Sequence, residues 1–338
     1  MRKFIGKMLA WIGGITVCGI GLIFVLATFA RSGKAKLPAK VILELNLETE
    51  MLEDEPDNPF LRLAGQHTPV IRDIVEGLER AGGDSRVSGL IARIGAAPLS
   101  LAQAQEIRDA VIAFRAKKKF TVVFSETFGE FGPGNGAYYL ATAFDQIWLQ
   151  PSGDVGLLGL SMSGMFFRGT FDKLGIVPRM DQRYEYKNAM NQYTDKKFTA
   201  PHREALQAVL NSFYGQMVRG ISQSRKLPED KVRAIVDRGP MLGKEALDAK
   251  LVDALMYRDE AYLKAKVIAD GQLLYLEKYL AAAGHPHDKG PVVALIHGVG
   301  AVVRGRGEVN PLEGSSVMGS DRVTAAFRQA IQDHAVKA

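Results

Sequence analysis

Cysteine is nearly absent: Cys18 is the only one in 338 residues. That excludes an intrachain disulfide framework and a cysteine-based zinc site. Histidine is also scarce, and the six present form no HExxH pair. His285 and His287 lie near Asp288, but "AAAGHPHDKG" (281–290) reads as a solvated linker, so neither a metal nor a cofactor is expected. "HGVGAVVRG" has Gly298 and Gly300 after a strand, yet Val303 stands where a dinucleotide fingerprint needs a third glycine. Acid is missing from the N-terminus. Seven of the 43 basic residues precede Glu44, the first acid, which leaves 36 basic against 37 acidic residues beyond them. The net charge of +6 therefore belongs to the N-terminus. That pattern fits a membrane surface, not nucleic acid.

Charge is missing again from Met8 to Ala30. A helix of that length spans about 34 Å, enough for a hydrocarbon core of about 30 Å. An uncleaved anchor is expected at 8–30, behind a basic tail at 1–7 and ahead of a linker at 31–38. The tail, with Arg2, Lys3 and Lys7, places the N-terminus inside and the body outside. A cleaved signal peptide ending in "TFA" is the competing reading.

Beyond the linker, strand and helix alternate. "KVILELNL" (40–47), "VSGLIARIG" (87–95), "FTVVFSE" (120–126) and "QIWLQPSG" (146–153) read as strands. Val70–Ala81 and Ala102–Lys119 read as amphipathic helices, and Lys117–Lys119 suit a C-terminal dipole. A further helix follows the glycine turn "GEFGPGNGAYYLA", and Pro201–Lys226 is helical. The class is α/β with covered, mostly parallel strands. The chain then restarts. "GPVVALIHGVGAVV" (290–303) is a strand like the first, Val323–Gln332 is a helix like the one at 70, and "DSRVSG" (84–89) aligns with "DHAVKA" (333–338) at an offset of 249. Two copies of one domain are expected: the first at 39–280, a linker at 281–290, and the start of a second at 291–338.

Two motifs invite chemistry. "GPGNGAYYLA" (132–141) is a glycine turn that lifts one side chain over a helix N-terminus, as a nucleophile elbow does. That side chain is Asn135, which cannot be an acyl-transfer nucleophile, so a tight turn is the favoured reading. "RYEYKNAMNQYTDKKFTAPHRE" (183–204) sets Lys187 among Tyr184, Tyr186 and Tyr193. A neutral amine can take the proton of a serine in place of histidine. Burial among aromatic neighbours would favour that neutral form. The plainer reading is a lysine laying its stem over tyrosines.

Together "YEYKNAMNQYTDKKFTAPHRE", "GNGAYYLATAFDQIWLQPSGDVGLLGL" and "GKEALDAKLVDAL" resemble the signal peptide peptidase A (protease IV) family of bacterial membranes, in its long, duplicated form. The resemblance implies a crotonase/ClpP-like superhelical fold with an N-terminal transmembrane helix. It implies a single-pass protein of the bacterial inner membrane, a body facing the periplasm, and a homotetramer. It implies a serine endopeptidase with a Ser–Lys dyad that degrades released signal peptides and unfolded segments. Lys187 then becomes the general base. The serine is expected from the second copy, near residue ~384 by the repeat offset, and so beyond Ala338; 1–338 alone is expected to be inactive. The first-copy turn "GAAPLS" (95–100) lacks the paired glycines of an oxyanion turn. Two other readings share these residues. One is a non-catalytic scaffold or peptide-binding homologue. The other is a CoA-dependent crotonase-type enzyme, against which the anchor and Lys187 weigh.

Overall fold

The computed structural model describes residues 36–53, 69–130, 132–307 and 317–338. The expected tail and anchor (1–30) lie outside them. Among the described residues no helix is long and apolar enough to cross a membrane.

In chain order the elements are β1 (Val41–Leu47), α1 (Ile71–Gly82), β2 (Val87–Ile94), α2 (Leu101–Ala116), β3 (Phe120–Ser125), α3 (Asn135–Ala141), β4 (Gln146–Leu149), β5 (Asp154–Val155), α4 (Arg168–Lys173), α5 (Asn191–Thr194), α6 (Ala200–Arg225), α7 (Glu229–Arg238), β6 (Met241–Leu242), α8 (Gly243–Asp248), β7 (Ala254–Leu255), α9 (Arg258–Ala269), β8 (Gln272–Tyr275), α10 (Leu276–Ala283), β9 (Ala301–Val303), β10 (Val317–Gly319) and α11 (Ser320–Gln332). Six strands form one sheet in the order β7-β4-β3-β2-β1-β8. Every pairing in it is parallel.

Period-two alternation splits the strands between two faces. Leu43, Leu45 and Leu47 join Leu90, Ala92, Ile94, Val123, Ile147 and Leu149 in the larger core, under α1, α2, α3 and α10. Ile42, Ile91, Val122, Phe124 and Trp148 face the other way and meet α9. That helix presents Ala261, Ala265 and Ala269, four residues apart, so a small-residue stripe lets it lie close to the sheet.

The helices start where their caps dictate. Ser100 and Gln103 form a reciprocal capping box at α2, which ends at Ala116 with Lys117 as its cap. Thr199 caps α6, whose Gly220 leaves room for the Tyr139 ring; a Cβ there would strike it. Arg108 of α2 is buried, and among the described residues no carboxylate forms an ion pair with it. Its guanidinium donates to the Tyr139 carbonyl and, at 2.5 Å, to Thr142 Oγ1, and it lies 4.0 Å over the Tyr139 ring. It thereby ties the C-terminal end of α3 to α2. Burial holds its pKa below the usual arginine value.

A second polar network closes the carboxyl end of the sheet. Tyr262 donates to Glu44 at 2.7 Å, and Glu48 receives both Arg93 (3.0 Å) and Arg258 (3.2 Å).

The stretch at 290–303 departs from the expected continuous strand. Val292 makes one parallel bridge to Val336, and only Ala301–Val303 forms a strand, paired with β10. A single bridge cannot propagate a ladder, so 293–300 stays irregular. The expected linker also starts late, because α10 runs to Ala283. Local geometry around Asp333 nevertheless matches that around Asp84. Val87 N–H donates to the Asp84 carbonyl at 3.1 Å, as Val336 N–H does to that of Asp333. Asp84 Oδ1 accepts from Arg86 N at 2.9 Å, as Asp333 Oδ1 does from Ala335 N.

Asp84 also receives the Arg86 guanidinium (2.7 Å) and the Tyr279 hydroxyl (3.0 Å). The Arg86 side-chain bonds hold its carboxyl far below the usual range, against burial, with help from the Arg86 N–H and Tyr279. A depressed folded pKa stabilises above the unfolded value of about 3.9 and is lost on acidification. Asp84→Asn should therefore cost roughly 1–2 kcal/mol near neutral pH in urea unfolding. The difference from the parent should shrink as pH falls below about 4.

Candidate active site

The site lies at the carboxyl end of the parallel sheet, where open α/β folds place their ligands. β3 ends in Ser125, which is buried, with its Oγ 2.8 Å from the Ile94 carbonyl and 2.7 Å from that of Thr127. The turn that follows is laced to 154–156 by main-chain bonds. Phe128 N–H donates to Asp154 O (2.9 Å), Gly156 N–H to Phe128 O (2.7 Å), and Gly134 N–H to Gly156 O (2.8 Å). Only glycine permits this approach. A Cβ on Gly134 would collide with the Phe128 carbonyl, and one on Gly156 with the Gly132 carbonyl.

Asn135 opens α3 directly above this turn. Its amide is buried and uses both ends: Nδ2 donates to Gly159 O at 2.6 Å, and Oδ1 accepts from Leu158 N at 3.1 Å. Asn135 is thus a clip that fastens 158–159 to the elbow. The expected tight turn is there, and the clip is an added feature. Its sign in the sequence is an amide between glycines, which is compatible with many turns. The neighbouring 95–100 turn is likewise spent on structure. Ser100 N donates to Gln103 Oε1 (3.1 Å) and Ser100 Oγ accepts from Gln103 N (3.2 Å).

Beyond the clip, 160–167 has no regular structure and exposes Leu160, Met162 and Met165. The chain then reaches Lys187 through α4. Lys187 is exposed, which departs from the expected aromatic burial. Each tyrosine has another partner. Tyr193 stacks on Phe167 at 6.0 Å, the Arg183 guanidinium lies 5.6 Å over Tyr184, and Tyr186 donates to Glu204 of α6 at 2.9 Å. That last bond raises the Tyr186 pKa.

The backbone around Lys187 is anchored from behind. Its N–H meets Tyr184 O at 3.2 Å, Tyr184 has φ +63°, and buried Asn191 donates to Thr199 Oγ1 at 3.2 Å. Among the described residues, no side chain pairs with the Lys187 amine, and the structure does not join it to Ser125, Ser152, Ser161 or Ser163. One group was not signalled by the sequence. His202 is buried between the Phe198 ring, 4.9 Å away edge-on, and Phe166, and its Nδ1 has no partner among the described residues. No group of three or more potential metal ligands occurs among the described residues.

Residues 113–271 match Peptidase family S49. The chain is 27% identical over 284 residues to "Protease 4" of Salmonella typhi, covering 79% of this chain and 44% of that protein. It is 25% identical over 249 residues to "Protease 4" of Haemophilus influenzae, covering 68% of this chain and 39% of that one. The chain thus spans less than half the length of these relatives. Among solved structures, a membrane-bound stomatin-specific protease (S97A mutant) aligns over 71% of this chain and 98% of its own at 10% identity, with a TM-score of 0.38. Over 113–271, just under half of the chain, the sequence is thus similar to an S49 peptidase domain.

Asn135→Ala leaves Leu158 N–H and Gly159 C=O without side-chain partners and should cost about 1–3 kcal/mol. Hydrogen exchange should show the loss confined to 156–167. Gly134→Ala should disrupt the elbow as a whole and remove protection from 126–135 as well.

Proposed function

We propose that the chain is part of a membrane-anchored serine endopeptidase in which Lys187 is the general base of a Ser–Lys dyad. The reading is carried by the S49 match, because residues 113–271 include both the Asn135 elbow and the Lys187 segment. The nucleophile would come from an equivalent elbow in a second copy of the domain. The paired hydrogen bonds at Asp84 and Asp333, which stand at the repeat offset, support such a duplication.

The chemistry assigns roles as follows. The neutral Lys187 amine accepts the proton of the serine hydroxyl as its oxygen attacks the scissile carbonyl, then returns it to the leaving amine. Asn135 takes no part in bond making; its amide holds the first-copy elbow shut. The exposure of Lys187 in a single chain supports completion of its surroundings by another copy, in the homotetramer that the family resemblance implies.

The proposed substrates are released signal peptides and other unfolded segments. Exposed Leu158, Leu160, Met162 and Met165 line a stretch whose main chain at 160–166 no strand pairs among the described residues. Such a stretch offers apolar contacts and main-chain hydrogen bonds together, as an extended apolar peptide requires. The proposed location is the bacterial inner membrane, single-pass, with the body in the periplasm. Asn135 at the elbow is the one observation that favours the rival reading, a non-catalytic peptide-binding scaffold.

Lys187→Met and Lys187→Arg in the full-length enzyme should each lower cleavage of a signal-peptide substrate by roughly 10²–10⁴-fold. Arginine should fail because it stays charged at working pH. Retained activity in either variant, measured as kcat, would remove the general base from the account.

A further inference from the structure

The turn after α10 reads "GHPHDKG" (284–290), entering at Gly284 with φ +80° and leaving at Gly290 with φ +109°. Both of its imidazoles land on α1. His285 Nδ1 pairs with Glu76 Oε2, and His287 Nε2 lies 3.1 Å from Glu79 Oε2. Glu76 and Glu79 are three residues apart and so share one helix face. The rest of that face reinforces the contact. Arg72 holds the second oxygen of Glu76 at 2.6 Å, and Arg80 donates to the Ala283 carbonyl at 3.3 Å. The turn itself adds Asp288 and Lys289, and α10 adds Glu277 and Lys278, the latter drawn over the Tyr275 ring at 5.6 Å.

The two pairs differ in burial. The Glu76 side chain is 11% exposed and Glu79 53%. The pair at Glu76 is less screened by solvent and dominates. Burial pushes the Glu76 carboxyl up, but Arg72 and His285 outweigh it and hold it below the ordinary value. Arg72 keeps Glu76 paired when the histidine is neutral.

On the far side of the turn, α11 has no buried residue, and Val293, Val302 and Ile331 are exposed. Few contacts there resist a change in orientation. We propose that the 284–290 turn is a proton-operated latch, clamped on Glu76 and Glu79 when His285 and His287 are protonated and released when they are neutral. Clamping fixes the direction in which 291–338 leaves the first domain; release frees it.

The sign follows from linkage. The docked state gains from charged imidazoles, so proton uptake favours docking. Docking on Glu76 and Glu79 therefore tightens as pH falls and loosens as pH rises.

Spin labels on Asp109→Cys and Lys289→Cys, in a Cys18→Ser background of the full chain, report the docking distance by pulsed EPR. We expect one narrow distance at about pH 5.5 and a several-fold larger broad component at about pH 8. The double variant His285→Gln and His287→Gln is surface-directed and should fold. It should show the broad component at both pH values. Glu79→Gln should give a partial effect. An unchanged distribution across pH, or a double variant that matches its parent, would overturn the latch.

Discussion

Everything at the candidate site depends on how closely two backbones approach at the end of β3. The turn after β3 and the stretch 154–156, which contains β5, share main-chain hydrogen bonds at a separation that leaves no space for a Cβ on Gly134 or Gly156. Asn135 then fastens the next two residues through both ends of one amide. Beyond the clip, 160–167 has no regular structure, and the chain reaches an exposed Lys187 through α4. The position of α3 follows from the same packing, since Arg108 seizes its far end from α2.

The parallel sheet supplies the rigid frame for this arrangement. The larger core lies under α1, α2, α3 and α10, and among the described residues α9 covers the other face. At the carboxyl edge Glu48 joins Arg93 and Arg258.

Much of this was legible in the sequence. The strands at 41, 87, 120 and 146 follow from apolar, branched runs, and α2 and α6 from their apolar stripes. The glycine turn and the unreactive Asn135 are legible too. The clip is not, because its partners at Leu158 and Gly159 are main-chain groups, which no side-chain pattern reports. The exposure of Lys187 was missed for a related reason. Three tyrosines in sequence look like a pocket, but each one turns to its own partner: Phe167, Arg183 or Glu204. The strand at 290–303 has the right composition, yet composition cannot supply the neighbour that a ladder needs.

The central claim is that the first-copy elbow is structural, held by an amide, and that Lys187 serves a serine other than those around it. Labelling 1–338 with a fluorophosphonate serine probe, followed by peptide mapping, tests this most directly. The account predicts no adduct on Ser125, Ser152, Ser161 or Ser163. A stoichiometric adduct on any one of them, lost in Lys187→Met, would contradict it.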